Sequence, residues 1–194
     1  LTSPVLVAID SSGREKTVSR HASETSSLKT DSRGRIWWSE NTVDKRWSLK
    51  TGAVMRRLDG KKIEKVGDNA VRYNPVPSPY GYFLSAIRYR INGGSSLEIM
   101  DEEGKGIASH AAPDSLQLVE TAWLSEEDIY ATAVSENGYG IYHIGIYERK
   151  WSKVLSPQPV MIKDLRTMGS ELTFVSDRTG VNELYHFNPE NAEL

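Results

Sequence analysis

Apolar residues occur along the chain in short runs, most of them β-branched or aromatic and bounded by Gly, Pro, Asn, Asp or Ser. This pattern is typical of strands rather than helices. Only at 116–124 is the pattern compatible with a helix as well as a strand, because apolar residues recur there at mixed spacing. The chain is therefore predicted to be all-β.

Four segments of the chain share one plan, in which a turn, a short apolar strand, a polar loop and a second apolar strand follow one another. Within the first strands, Ile36, Phe83, Ile129 and Leu172 are 47, 46 and 43 residues apart. A period in the mid-forties matches a four-stranded blade of a β-propeller, which takes roughly 40–50 residues. The predicted strands lie at 35–39, 82–86, 128–132 and 171–175, and the second strands at 54–58, 97–101, 142–147 and 184–188.

The repeats predict one β-propeller domain over 1–194, made of about four four-stranded blades. A partial blade is expected at 1–20, and the full blades at about 28–67, 70–110, 116–156 and 160–194. Strands at the two ends could complete one shared blade, or they could be open edges of a larger ring. We expect the larger ring, whose open edges would favour self-association.

Three of the turns place Asp before Gly and then a basic residue, at 10–14, 59–61 and 101–105. Such residues favour tight turns, because Gly accepts a positive φ and the Asp carboxylate accepts hydrogen bonds from turn amides. A calcium loop would need further oxygen ligands and a distal Glu at fixed spacing, which these segments lack. They are interpreted as turns.

The last repeat resembles the blade signature of TolB-type β-propellers, in which a strand ending in Phe-x-Ser-Asp precedes a Gly turn and an aliphatic-Tyr strand. Here these are Phe174 to Asp177, Gly180, and Leu184-Tyr185. Weaker versions occur at 31–40 and 78–84, whereas 124–130 lacks the Gly turn. The resemblance implies a propeller like those of bacterial cell-envelope proteins and of oligopeptidases, with a periplasmic or envelope-associated location.

Charge and composition exclude several classes of function. With 24 Lys and Arg against 26 Asp and Glu, the net charge of −2 offers no field that would attract nucleic acid. Absence of Cys excludes disulfides and thiolate chemistry, and no apolar run approaches the roughly 20 residues of a transmembrane helix. No G-x-S-x-G elbow, phosphate loop or H-E-x-x-H motif is present. We therefore expect no catalytic residue, cofactor or metal in this chain.

Corresponding loops of the repeats carry the candidate binding residues. If these loops share one rim, their aromatic, Arg and Asn side chains converge there and could hold a peptide, a glycan or a partner protein. Trp47 has two interpretations, a lid over the blade interface or an exposed anchor for a partner. The candidates are Arg46, Trp47, Arg88, Tyr89, Arg90, Asn137, Tyr139, Asp177 and Arg178.

Three functions fit these observations. The first is a non-catalytic recognition or scaffold module that binds a protein or another macromolecule in the bacterial cell envelope. A second is the gating propeller of a serine oligopeptidase whose catalytic domain lies outside this chain. A third is a glycan-binding or lyase propeller. Fold alone does not decide among them.

Overall fold

The computed structural model describes residues 5–20, 25–43, 51–91, 93–113 and 116–191. Within these ranges every regular element is a strand and no helix occurs, which confirms the all-β prediction. The strands are β1 (Val5–Ile9), β2 (Glu15–Arg20), β3 (Lys29–Thr30), β4 (Ile36–Val43), β5 (Thr51–Asp59), β6 (Lys62–Val66), β7 (Tyr73–Pro77), β8 (Phe83–Tyr89), β9 (Ser95–Asp101), β10 (Gly106–Ala111), β11 (Gln117–Trp123), β12 (Asp128–Ser135), β13 (Gly138–Gly145), β14 (Ser152–Gln158), β15 (Ile162–Met168), β16 (Glu171–Ser176) and β17 (Glu183–Phe187).

Consecutive strands pair antiparallel into separate sheets, the arrangement of propeller blades. Strands β3–β6 form blade 1, β7–β10 form blade 2, β11–β14 form blade 3, and β15–β17 form the three described strands of blade 4. Among the described strands, β1 and β2 pair only with each other. The stretch 116–124, whose pattern is also compatible with a helix, contains strand β11 instead. This strand is the innermost strand of blade 3.

The meandering blades give the molecule two faces. One face carries the connections between blades, from β6 to β7, β10 to β11 and β14 to β15, together with the hairpins between the second and third strands of each blade. We call it the connector face. The opposite face carries the hairpins between first and second strands and between third and fourth strands. We call it the hairpin face.

The core lies between neighbouring blades, and alternation along each strand decides which neighbour a side chain meets. On β12, for example, Ile129 and Ala131 pack toward blade 2, whereas Tyr130 packs toward blade 4. Trp37, Met55 and Val66 of blade 1 similarly pack against blade 2. Stacking of blades therefore buries both faces of sheets that could not bury them alone.

The innermost strands of blades 2, 3 and 4 are bulged near the same position. The pairing register is interrupted between Tyr73 and Val76, between Leu118 and Glu120, and between Lys163 and Arg166. Asn74 and Asp164 have positive φ angles of 52° and 56° at these bulges, and short polar side chains tolerate this conformation best. The other edge of each innermost strand faces the axis around which the blades are arranged.

The Asp-containing turns have the predicted conformation. The Oδ1 atom of Asp10 accepts hydrogen bonds from the backbone N–H groups of Ser12 (2.9 Å) and Arg14 (3.0 Å). Asp101 Oδ1 likewise accepts from Glu103 (3.0 Å) and Lys105 (2.8 Å). Each carboxylate thus satisfies the amides that the hairpin leaves unpaired.

Candidate functional site

The loops that carry the predicted binding residues are the hairpins between second and third strands, so they all belong to the connector face. Of the nine predicted residues, Arg46 and Trp47 lie outside the described residues. The other seven lie on the hairpins of blades 2, 3 and 4. The topology therefore places these loops on one side of the molecule.

The blade 2 hairpin projects a mixed basic and apolar surface. Ile91 at its tip is fully exposed, and Arg88 and Arg90 are exposed on either side of the strand end. Arg88 pairs with Glu98 at 3.3 Å. Tyr89 is tied to the next blade, because its hydroxyl donates to the carbonyl of Leu118 at 3.0 Å. Burial is the main cause that raises the pKa of Tyr89.

The blade 3 hairpin separates its two predicted residues. Asn137 is exposed at the turn, where its backbone N–H donates to Ser135 Oγ at 3.2 Å. Tyr139 is half-buried and packs against the apolar cluster between blades 3 and 4. Asn137 thus faces solvent at the rim, whereas Tyr139 contributes to the packing of the blades.

The blade 4 hairpin carries Asp177 and Arg178, both exposed. Asp177 Oδ1 accepts a hydrogen bond from the backbone N–H of Met161 at 2.7 Å and thereby holds the connection between blades 3 and 4. The Arg178 guanidinium lies over the Tyr185 ring, 5.5 Å from its centroid. This geometry is that of a cation–π contact.

A cavity of about 560 Å³ opens on the connector face between blades 2 and 3. Of the predicted residues, Arg90 lines it. Glu136 from the blade 3 hairpin supplies an opposite charge. Its walls consist of Arg90, Gly94, Ser95, Ala111, Ala112, Pro113, Leu116, Gln117, Val134, Ser135 and Glu136.

A second cavity, of about 330 Å³, lies between the innermost strands of all four blades. We call it the channel cavity. It lies toward the hairpin face, because the residues lining it come from the ends of β7, β11 and β15 that lead into hairpins on that face. The lining consists of Leu28, Lys29, Thr30, Val76, Pro77, Ser78, Pro79, Thr121, Ala122, Trp123, Leu165, Arg166 and Thr167.

This cavity and its two cations, Lys29 and Arg166, were not predicted from the sequence. Its residues come from four repeats, and those from blades 2, 3 and 4 occur about 45 residues apart. No local motif joins them. Positions 74, 119 and 164, at the bulges, are each 45 residues apart. Aligning the repeats at these positions would have shown that they are equivalent positions of the innermost strands.

A network of charges joins blades 1 and 2 on the hairpin face. Arg35 donates to Asp31 Oδ2 at 2.7 Å within blade 1 and to Glu102 Oε2 at 2.6 Å in blade 2. Arg33 also reaches Glu102, and Arg57 donates to the Glu102 carbonyl at 3.0 Å. We call this network the blade latch.

Buried Asp31 lies at the centre of the blade latch. Burial opposes its ionisation, but hydrogen bonds from Trp37 and Arg35 outweigh burial and lower its pKa. The Glu102 pKa is lowered chiefly by the hydrogen bond from Arg35. Ion pairs with several hydrogen bonds fit a structural role.

One Ser–His–Asp arrangement occurs across three strands of blade 3. His143 Nε2 lies 2.9 Å from Asp128 Oδ1, and His143 Nδ1 lies 3.3 Å from Ser152 Oγ. Asp128 also accepts from Ser125, and this hydrogen bond is the largest cause of its lowered pKa. Neither the connector-face cavity nor the channel cavity is lined by His143, Asp128 or Ser152. The arrangement braces neighbouring strands.

The described part of the chain contains no group of three or more His, Cys, Asp or Glu side chains placed to hold a metal ion. Across the same ranges, no helix has the length and apolar character needed to cross a membrane.

No protein-family model matches the sequence, and no curated protein matches it. Solved structures do match the fold. A protein assigned as TolB from Agrobacterium tumefaciens has a TM-score of 0.71 and 13% identity, covering 93% of this chain and 64% of its own. A puromycin-hydrolyzing peptidase from Mycobacterium tuberculosis has a TM-score of 0.64 and 14% identity, covering 94% of this chain and 33% of its own.

A third similar structure is a chain of a nidogen/laminin complex, with a TM-score of 0.68 and 12% identity. The match covers 94% of this chain and 66% of that chain. This chain therefore spans less than two thirds of the length of each of the three structures. Identities this low establish the fold and leave function open. The chain has the β-propeller fold that the TolB-type resemblance implied.

Proposed function

We propose that this chain is a non-catalytic recognition module that binds a protein or another macromolecule of the bacterial cell envelope through its connector face. The supporting observation is the blade 2 hairpin, which presents fully exposed Ile91 beside Arg88 and Arg90 at the edge of the 560 Å³ cavity. An exposed apolar side chain flanked by arginines suits a protein interface, where Arg and apolar anchors are enriched.

The position of this hairpin supports the same proposal. The Tyr89 hydroxyl ties the strand end to Leu118 of blade 3, so the exposed residues extend from a fixed base. A rigid base reduces the ordering cost of association. Hairpins from blades 3 and 4 add Asn137 and Arg178 to the same face.

The test compares two double variants on opposite faces. Each variant changes one exposed apolar or aromatic side chain and one exposed arginine. Ile91→Asp with Arg90→Glu alters the connector face, and Tyr147→Asp with Arg149→Glu alters exposed residues of the hairpin face. Each tagged chain is used to capture partners from an envelope extract, with quantitative mass spectrometry. We expect a partner that the wild type and the Tyr147/Arg149 variant retain and that the Ile91/Arg90 variant loses at least about tenfold, the factor that about 1.4 kcal/mol of binding free energy provides. Equal retention by both variants would contradict the proposal.

The alternative is a gating propeller of a serine oligopeptidase. This alternative is supported by the structural similarity to the M. tuberculosis peptidase. The match covers 33% of that peptidase chain. Catalysis would then require a G-x-S-x-G elbow with downstream Asp and His in a separate domain of the same protein. Sequencing the complete gene and assaying its product on peptides distinguishes this alternative from the recognition module.

A further inference from the structure

The channel cavity has an unbalanced charge. Of the described residues that line it, Lys29 and Arg166 are cationic, and none is a carboxylate. Thr30 and Thr167 lie on the same lining, whereas the hydroxyl of Thr121, a further lining residue, contacts Ser85 Oγ of blade 2 at 3.1 Å. The described lining therefore carries cations without carboxylates, although the chain as a whole carries a net charge of −2.

Arg166 differs from the buried arginines elsewhere in the structure. Arg35, Arg57 and Arg72 each pair with two carboxylates. No described carboxylate lies within ion-pair distance of half-buried Arg166. The guanidinium donates a long hydrogen bond, 3.4 Å, to the carbonyl of the preceding residue, Leu165. Burial alone lowers the Arg166 pKa.

Glu120 of blade 3 lies beside β15 but is engaged with its backbone. Glu120 accepts the backbone N–H of Leu165 at 2.9 Å, and no ion pair joins it to Arg166. Burial is the largest cause that raises the Glu120 pKa. A half-buried guanidinium without a counter-charge is unfavourable unless a ligand supplies that charge.

We propose that the channel cavity is a binding site for a carboxylate group, held by the Arg166 guanidinium with Lys29 as the second cation. The planar guanidinium can donate two parallel hydrogen bonds to the two oxygens of a carboxylate. This inference does not depend on the proposed recognition role of the connector face, because the two sites lie toward opposite faces.

The number of oxygens favours a carboxylate over inorganic phosphate. One guanidinium can satisfy both oxygens of a carboxylate, whereas the further oxygens of phosphate would need other donors. The apolar residues of the lining, Val76, Ala122, Trp123 and Leu165, are buried in the cores between blades and supply no such donor from their side chains, because the Trp123 indole N–H is already bonded to Val76 and Ser85. A free small acid and the acidic side chain of a polypeptide share the required chemistry.

The test measures binding by isothermal titration calorimetry on the 194-residue chain at low salt. The probes are glutarate, the peptide acetyl-Gly-Glu-Gly-amide, its Gln counterpart, and inorganic phosphate. Proteins are the wild type, Arg166→Gln, Arg166→Lys, and Arg149→Gln, which removes an exposed charge from the hairpin face. We expect at least about a tenfold loss of carboxylate affinity in Arg166→Gln, and wild-type affinity in Arg149→Gln. The Gln peptide should not bind.

Thermal unfolding of the same variants distinguishes a ligand site from a structural role. Because Arg166 has no ion-pair partner to lose, Arg166→Gln should not lower the Tm. If Arg166→Gln does not fold, Arg166→Lys must fold and bind carboxylate more weakly than the wild type. Failure of both variants to fold would overturn the proposal.

Several binding results would also overturn the proposal. These are absence of carboxylate binding by the wild type, equal losses in Arg166→Gln and Arg149→Gln, or tighter binding of phosphate than of both carboxylates. Tighter binding of the Glu peptide than of glutarate would identify a polypeptide as the source of the group. Glutarate affinity equal to or greater than that of the peptide would identify a small acid.

Discussion

Single side chains decide how blade 1 meets blade 2. Trp37 is buried, its indole N–H donates to Asp31, and the guanidinium carbons of Arg35 and Arg57 lie 5.2 and 5.5 Å from its ring centre. The two arginines also bind Glu102, one through its carboxylate and one through its carbonyl. One Trp and one Glu thus organise charges that would otherwise be costly to bury.

We predict that the blade latch makes stability depend on acid pH. Asp31 and Glu102 have pKa values lowered from their ordinary 3.8 and 4.5, so their stabilisation is complete above these values and declines as the pH falls through the lower folded-state values. Glu102→Gln should lower the free energy of unfolding by about 1 kcal/mol at pH 7, a modest cost because Glu102 is partly exposed. The difference from the wild type should shrink below pH 4, as measured by urea unfolding across pH.

Glu103→Gln is the matched control for this prediction. Glu103 is the next residue, its side chain is 72% exposed, and it reaches Arg57 at 3.3 Å. A pair whose carboxylate is this exposed contributes less, so we expect a loss below about 0.5 kcal/mol. Equal losses in the two variants would show that Glu102 has no special role in the blade latch.

At the scale of elements, the hairpin between β9 and β10 approaches blade 1 at Gly104. A Cβ atom built there would lie 2.5 Å from both the N and Cα atoms of Gly67, and Gly104 has a φ of +83°. Since backbone atoms cannot move aside as a flexible side chain can, the two blades would have to separate. Glycine at 104 is therefore required both by the turn and by the contact.

We predict that Gly104→Ala destabilises the molecule more than Gly34→Ala. Gly34 lies in a similar Asp-x-x-Gly turn with a φ of +74°, but an added Cβ there would meet nothing within 4 Å. Both substitutions impose the left-handed strain of about 1–2 kcal/mol, and Gly104→Ala adds about 1–3 kcal/mol of overpacking. Chemical unfolding measures the difference. Equal destabilisation would mean that the blades adjust freely at this contact.

The sequence predicted the second and third strands of each blade better than the innermost ones. Strand Phe83–Tyr89, for example, carries dense apolar residues because blades 1 and 3 cover its two faces. The innermost strand β7 contains Asn74 and Pro75, and β15 contains Asp164, so their patterns are broken by the bulges. Their one free edge explains why such residues are tolerated.

Prediction of the site had a similar limit. The connector-face hairpins could be compared because each lies at the same point of its repeat, as Arg88 and Asn137 do. Arg166 could not be singled out, because its chemistry depends on having no carboxylate partner among the described residues, and a partner can be as distant as Glu102, which is 67 residues from Arg35. Pairing of distant charges is set by blade packing, which sequence spacing does not reveal.

At the scale of the whole molecule, each blade packs on its neighbours, and the described part has two uncovered features. Strand β17 is an outer strand of its sheet, with Leu184 exposed. Strands β1 and β2 form a ribbon that makes no substantial contact with any other strand, and Val5, Val7 and Ile9 on it are exposed. Unpaired edges and exposed apolar strands promote association between chains.

We predict that the 194-residue chain self-associates through β17 as its concentration rises. Leu184→Lys should reduce the mass measured by light scattering toward the monomer, because a charge on an edge strand opposes pairing with another strand. Tyr147→Lys, at an exposed position on the hairpin between β13 and β14, should have no effect. A monomeric wild type at all concentrations, or equal effects of both variants, would contradict association through β17.

The two sides of the blade latch are synthesised at different times. Arg57 and the Glu102 carbonyl that it binds are 45 residues apart, so at roughly 5–20 residues per second blade 1 is made about 2 to 9 seconds before its partner. During that interval Arg35 has Asp31 alone, and Arg57 has Glu64 alone. In a nascent blade 1 each of these arginines thus has one carboxylate partner, and blade 2 supplies the second, Glu102 for Arg35 and Glu103 for Arg57.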